Sequence, residues 1–327
     1  MSPGVAIVGC GLIGRKRASA LAGARLVACA DVQRDRAEAL ARTAPGAAAS
    51  DDWRVAVRHP DADIVIVATT NDQLAPIAAA ALAEGKHVLV EKPAARSVAE
   101  LDTVINAAER HQRLVHVGFN HRYHPALVKA REIANAPGFG ELMFLRGRYG
   151  HGGRVGYDRE WRADPVRAGG GELIDQGVHL IDLSRWFLGS LSLAHGLADT
   201  YFWDMAVDDN AFLTLQSPQR QVAFLHVSCT EWKNLFCLEI YGRHGKLQID
   251  GLGGSYGVER LTFYRMLPEM GPPDTMSWEF PGADTSWNIE FAEFLDDIRL
   301  GRRPAASLDD ARATLDIVGQ VYDRSRQ

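Results

Sequence analysis

Between residues 4 and about 119 of the 327-residue chain, short β-rich apolar runs alternate with alanine-rich stretches of helical period. The runs at 5–8, 26–30, 64–68, 87–90 and 114–118 read as strands, and Gly14 to Gly23, Arg34 to Arg42, Gln73 to Gly85 and Val98 to Arg110 read as helices between them. Such alternation predicts parallel strands with crossover helices, a doubly wound α/β sheet. Past Asn120 the texture changes. A helix (Pro125 to Asn135), a strand (142–149), a glycine- and arginine-rich loop and a helix from about Glu172 to Phe187 lead into β-type runs at 193–203, 210–216, 221–230, 235–241, 246–250 and 258–264. Turns as short as Ser217-Pro218 and Gly242 to Gly245 join these runs, which predicts a large, mostly antiparallel sheet in an α+β second domain. Two helices, about 286–300 and 307–325, close the chain. The domain boundary is expected at 120, giving domains 1–120 and 121–327.

Composition narrows the partners. A net charge of -5 with no long basic run argues against nucleic acid and against an anionic membrane surface, which leaves a small molecule as the expected partner. No run approaches the roughly 20 apolar residues of a membrane span, and the apolar start at Val5 to Val8 is too short for an export signal. Cys10, Cys29, Cys229 and Cys237 lack zinc-site spacing, so reduced thiols in a cytoplasmic protein are expected, with no metal.

The strand Val5 to Val8 runs into Gly9-Cys10-Gly11-Leu12-Ile13-Gly14 and then into a helix. In that context a G-x-G-x-x-G run is a dinucleotide site: Gly9 permits the turn, Gly11 lets backbone approach the pyrophosphate, and Gly14 lets helix pack on strand. The loop residues Gly9, Gly11, Leu12, Ile13 and Gly14 are therefore the expected cofactor cradle of a Rossmann domain. Asp31 follows the middle glycine by about 20 residues, the spacing of an acid that binds ribose hydroxyls. It favours NAD over NADP, because a 2′-phosphate would meet a like charge, although Arg34 is near in sequence.

Two further constellations carry chemistry. Lys92 stands before Pro93 at the C-terminal end of the run 87–90, the edge of a doubly wound sheet where ligands sit. A lysine before a proline is commonly just solvated, but an ammonium at that edge can stabilise charge developing on a reacting oxygen. Asp175 and His179 are four apart in a segment that reads as helix, so both project from one face. That spacing also suits a surface pair or half of a metal site, though no third ligand is obvious. The three glycines 169–171 ahead of them would let backbone pass close to a flat ring or a sugar.

With Glu91-Lys92-Pro93, Gly118-Phe119-Asn120-His121-Arg122-Tyr123, Trp161-Arg162 and Gly169 through His179, the chain resembles the Gfo/Idh/MocA oxidoreductases over nearly its whole length. The resemblance implies that the Glu91-Lys92 peptide lies by the nicotinamide ribose and that Lys92 binds the reacting hydroxyl. It implies that His179 takes the hydroxyl proton as hydride leaves for nicotinamide, with Asp175 orienting it or a neighbouring sugar hydroxyl. It further implies Thr69, Thr70, Asn71, Trp161 and Arg162 on the cofactor side, and Asn120, Arg122 and Tyr123 with Lys92, Asp175 and His179 around the substrate. Two positions depart from the family pattern: His121 stands where a first arginine of a pair is frequent, and Leu74 where many members carry histidine.

The expected function is hydride transfer between NAD and a secondary alcohol or ketone of a cyclic polyol or sugar. A glycosidase using transient sugar oxidation by NAD and a non-catalytic sensor of dinucleotide or sugar are the alternatives. Runs near 221–241 are apolar on both alternating sets, for example Val222, Phe224, Leu225 and Val227, which predicts a homodimer or homotetramer.

Overall fold

A computed structural model describes residues 2–269 and 271–325. The chain divides into two compact units, one comprising the residues up to Phe119 with Val166–Gly169 and Trp287–Leu315, the other Asn120–Pro165, Gly170–Ser286 and the residues from Asp316 on. Among the described residues no helix is long and apolar enough to cross a membrane.

The first unit is built as β1 (Gly4–Val8), α1 (Leu12–Ala18), β2 (Arg25–Ala30), α2 (Arg34–Ala41), β3 (Ala48–Ser50), α3 (Trp53–Val57), β4 (Ile64–Val67), α4 (Asn71–Ala83), β5 (His87–Glu91), α5 (Val98–His111) and β6 (Val115–Gly118). Its six strands are parallel in the order β3-β2-β1-β4-β5-β6, the doubly wound arrangement whose strand order reverses between β1 and β4. β1 and β4 are buried at every position, because helices cover both faces. Val5, Ile7, Leu26, Ile64, Ile66 and Leu89 form the core, and Phe291 and Phe294 from the far end of the chain pack into it. The three-residue β3 was not among the expected strands, since Ala48-Ala49-Ser50 carries no β-branched or aromatic residue.

The second unit begins with α6 (Pro125–Ala134) and β7 (Leu142–Gly150); the short α7 (Pro165–Ala168) follows, most of it belonging to the first unit. Next come α8 (Val178–Leu188) and the strands β8 (Ser192–Asp199), β9 (Asn210–Gln216), β10 (Val222–Ser228), β11 (Leu235–Gly242), β12 (Gly245–Asp250), β13 (Glu259–Arg265) and β14 (Asp274–Phe280). The last helices are α9 (Ser286–Leu300) and α10 (Leu308–Ser325). Eight strands form one sheet in the order β14-β13-β12-β11-β7-β10-β9-β8. Only the β7–β10 pair is parallel, so the sheet is mostly antiparallel as expected. The expected strand at 193–203 ends at Asp199, because the Asp209 carboxylate collects the backbone N–H groups of Tyr201, Phe202 and Trp203 into a turn. Strand β14 is an addition: its residues are exposed or half-buried, so no buried alternation announced it.

Candidate active site

In the first unit the three loop glycines have different surroundings. Gly9 has φ +93°, and a Cβ there would overlap the carbonyl of Ala68; a Cβ on Gly14 would overlap the carbonyl of Gly9. These two glycines serve the chain's own packing. Gly11 has no atom within 4 Å of the place where a Cβ would stand, so the loop keeps an open cradle at its middle glycine. Leu12 beside it is 63% exposed. Asp31 lies just past β2, where its carboxylate accepts the N–H of Cys10 at 2.8 Å and of Gln33 at 2.9 Å. The carboxylate is thus fastened to the glycine loop, and a charge-assisted bond of this kind fixes both at once. Open cradle and fastened acid are what a dinucleotide's pyrophosphate and ribose require, so these residues fit the cofactor that the motif implies.

Thr70 caps α4 and donates its hydroxyl to Asp72 at 2.6 Å, while Thr69 donates to the Thr70 carbonyl. Asn71 is buried, and its amide donates to the Ala168 carbonyl at 2.9 Å, so this side chain ties α4 to the 166–169 segment.

Lys92 follows β5, its peptide to Pro93 is cis, and Ala94 turns through φ +73°. The Glu91 side chain faces inward. Arg17, buried on α1, donates Nε to Glu91 at 2.6 Å and pairs through Nη1 with Glu290 of α9; His116 on β6 lies 3.3 Å from the same Glu290. Burial pushes the Glu91 carboxyl up despite Arg17. Burial opposes ionisation of Glu290 as well, but Arg17 and His116 together hold it below the usual carboxylate range. Neither Arg17 nor Glu290 was among the expected residues. The signal for Arg17 was its spacing, three residues after Gly14 on the helix face that turns inward.

The three glycines 169–171 each meet part of the chain itself. A Cβ on Gly170 would overlap the Tyr322 hydroxyl and one on Gly171 the Asp208 carbonyl; in the first unit one on Gly169 would crowd Arg96. The triplet thus lets the chain pack closely against itself. The Asp208 carboxylate accepts the N–H of Gly171 and of Leu173, each at 2.8 Å, and the hydroxyl of Tyr322 at 2.9 Å. Burial pushes this carboxyl up against those bonds. The expected helix from Glu172 opens as a π-helical turn, Leu173–Gly177, before α8, and such turns recur at functional sites.

Asp175 lies in that turn and His179 in the first turn of α8. Arg162 donates Nε to Asp175 at 2.9 Å, and its guanidinium also covers the Trp161 ring at 4.6 Å. Asp175 is the main reason that the Arg162 cation is stabilised above its usual range. Trp161 and Arg162, expected on the cofactor side, thus stand in the second unit with Arg162 beside Asp175. His179 is buried, and the ring of His121 lies flat against it, centroids 3.7 Å apart and 17° from parallel. Tyr149 on β7 meets His121 and His179 edge-on at 5.3 and 6.2 Å, and burial with Tyr256 nearby pushes its hydroxyl well above the usual range.

Of the three residues expected around the substrate at 120–123, Asn120 donates to the Ser286 hydroxyl at 3.0 Å. Tyr123 is buried. Arg122 is buried too, and its Nε donates to Asp182 of α8 at 2.8 Å. An arginine held this way braces the 120–123 turn against α8.

Two domain models of one family match the chain, an oxidoreductase family NAD-binding Rossmann fold over residues 4–119 and a GFO/IDH/MocA C-terminal domain over 127–248. A levoglucosan dehydrogenase of Pseudarthrobacter phenanthrenivorans is 30% identical over 60% of this chain, and the matched region spans 54% of that protein's length. An inositol 2-dehydrogenase of Salmonella typhimurium is 26% identical over 91% of this chain and 87% of its own. Among solved structures, a levoglucosan dehydrogenase in complex with NADH and levoglucosan superposes with a TM-score of 0.89 at 22% identity, covering all of this chain and 98% of that one, a likeness of fold. With both domain models matched in order along a parallel sheet and a mostly antiparallel one, the chain belongs to the Gfo/Idh/MocA family of NAD-binding oxidoreductases.

Proposed function

We propose that the chain is an NAD-dependent dehydrogenase that oxidises a secondary alcohol of a cyclic polyol or sugar, or reduces the corresponding ketone. The buried His179, four residues beyond an Asp175 that Arg162 anchors, is the observation that carries this reading. The relatives named as acting on inositol and levoglucosan support the substrate class. Gly9, Gly11, Leu12, Ile13 and Gly14 would hold the pyrophosphate, Asp31 the ribose hydroxyls, and the Glu91-Lys92 peptide the nicotinamide ribose. When bound, NAD supplies the hydride acceptor.

The chain's own residues manage the hydroxyl. The Lys92 ammonium donates to the alcohol oxygen and stabilises charge that builds there as the proton departs. His179, as a neutral imidazole, accepts that proton, and in the reverse direction returns it as the imidazolium; a side chain that changes charge near pH 7 suits the exchange. Asp175, itself held by Arg162, orients the imidazole or a neighbouring sugar hydroxyl. The outward sheet face, where Phe224 is 52% exposed while Leu225 and Val227 are buried, is the surface we assign to a second copy of the chain.

Mixing the protein with NAD and a panel of inositols, anhydrosugars and glycosides, and following NADH absorbance, tests the function. Stoichiometric accumulation of NADH is expected with at least one polyol. Release of an aglycone without NADH would overturn the reading in favour of glycoside cleavage. His179→Ala should lower kcat by about 10²- to 10⁴-fold, and unimpaired turnover would remove His179 from the role of base.

A further inference from the structure

The π-turn that carries Asp175 opens a helical segment whose first N–H groups need partners from outside it. A helix is ordinarily capped by the side chain just ahead of it. Glu172 makes no such bond with its side chain, and Gly170 and Gly171 before it have none to offer. The partner comes from far along the chain. Asp208 accepts three successive backbone N–H groups: Gly171 on Oδ1 at 2.8 Å, Glu172 on the backbone carbonyl at 2.9 Å and Leu173 on Oδ2 at 2.8 Å. The Tyr322 hydroxyl of α10 donates to the same Oδ1 at 2.9 Å and shares the Gly171 N–H at 3.2 Å. The glycines admit these groups, since a Cβ at 171 would overlap the Asp208 carbonyl and one at 170 the Tyr322 hydroxyl.

Bonds to three consecutive N–H groups fix the rotation at which the chain enters the turn. The Asp175 N–H bonds back to the Gly171 carbonyl at 3.0 Å, one bonded step from the cap. Leu173–Gly177 then passes directly into α8, whose second residue is His179. A π-turn accommodates one extra residue, worth about 100° of α-helical rotation. The side chains beyond it therefore keep their direction only while its start is held. Asp208 is itself anchored by the sheet: it stands just before β9, where the next residue, Asp209, donates its N–H to the Asp199 carbonyl of β8 at 3.1 Å.

We propose that Asp208 is a positioning residue for the reaction: a cap supplied from the sheet and latched by Tyr322, it sets the register of the π-turn and so the placement of Asp175 and His179. This rests on Asp175 and His179 acting as proposed above.

Asp208→Asn keeps the size of the side chain but turns one oxygen into an NH2 group, so whichever way the amide lies, one backbone N–H meets a donor. Tyr322→Phe removes the latch and leaves the three N–H bonds. Asp209→Asn is the control, because the neighbouring carboxylate also collects three backbone N–H groups, but those of Tyr201, Phe202 and Trp203 in a different loop.

Two readouts on the folded full-length protein need no substrate. In Asp208→Asn, hydrogen–deuterium exchange across 171–179 should quicken by at least about tenfold. The ring signals of His179 in ¹⁵N-histidine spectra, assigned by their loss in His179→Ala, should shift or broaden. Tyr322→Phe should change both in the same direction and by less, whereas Asp209→Asn should lower Tm and change neither. A purely structural cap at 208 would behave as the one at 209 does. With a polyol that yields NADH, kcat of Asp208→Asn should fall by about ten- to a hundredfold, with NADH affinity kept. Exchange and His179 signals of Asp208→Asn that match wild type, or signals moved as far by Asp209→Asn, would overturn the proposal. If Asp208→Asn does not fold, unchanged His179 signals in Tyr322→Phe overturn it equally. Unimpaired turnover by His179→Ala would instead sink the assignment of the base, while the spectra still judge whether Asp208 places the turn.

Discussion

Replacing Arg17 by leucine should cost the first unit far more than one surface cation would. Both carboxylates that Arg17 serves are inside: the Glu290 side chain is 0% exposed and that of Glu91 10%. Removing the shared cation leaves two buried negative groups, with His116 beside Glu290 and the charge of Lys92 acting on Glu91. Breaking a buried pair from one side costs about 3 to 5 kcal/mol, because the remaining charge is desolvated without compensation. For a chain of this size that is a fall in Tm of about 4 to 7 °C. The pH dependence carries a sign. In the native protein Glu290 is held low, so its contribution is present above its unfolded pKa and is lost as pH falls through the folded value. Glu91, pushed up by burial, works the other way and favours the fold at lower pH. Without Arg17 both carboxylates are governed by burial, so both folded pKa values rise above the unfolded ones. Their contribution is then complete below the unfolded pKa and lost as pH rises, and the deficit of Arg17→Leu widens from pH 5 to pH 7. Denaturant titrations of wild type and variant at those two pH values measure it. Adding Glu91→Gln and Glu290→Gln to Arg17→Leu should restore more than half of the loss. A single-variant cost below about 1 kcal/mol at pH 7, well short of the expected range, or a triple variant no better than the single, would refute the reasoning.

Three other expectations follow from the same structure. Gly11→Ala, placed where the chain leaves open space, should keep its Tm but weaken NADH binding by at least about tenfold, whereas Gly14→Ala should lower stability by about 1 to 3 kcal/mol through overlap with the Gly9 carbonyl; calorimetric titration and thermal melts separate the two. Asp31→Ser should narrow the preference for NADH over NADPH by about ten- to a hundredfold in competition binding, since the like charge facing a 2′-phosphate is gone; an unchanged ratio would remove Asp31 from cofactor choice. Light scattering at micromolar concentration should show a dimer or tetramer, and Phe224→Glu on the outward sheet face should shift it towards monomer; a monomeric wild type would refute the assignment of that face.

Which features were legible in the sequence follows from how local their causes are. The glycine loop is contiguous, its acid lies within one βαβ unit, and the strands are apolar runs with turns between them, so pattern alone led to the doubly wound sheet and the antiparallel one. Strands β3 and β14 escaped because neither has a buried face that marks a sequence. Long-range charge pairing escaped for a different reason. Nothing near Arg122 in sequence announces Asp182, 60 residues on, which holds it, and Arg17 looks like a helix surface cation until Glu290, 273 residues on, arrives with α9. The amphipathic period of α9 announces a buried face but not that Phe291 and Phe294 bury it in the first unit's core. The glycine triplet carries the same lesson in steric form: three adjacent glycines announce close approach, yet only the fold says that Arg96, Tyr322 and Asp208 approach. His121 is the sharpest case, because its departure from the arginine frequent at that position reads in sequence as a weaker anion site. In the structure its ring lies flat against that of His179, 3.7 Å between centroids, an approach of distant residues that no local pattern announces.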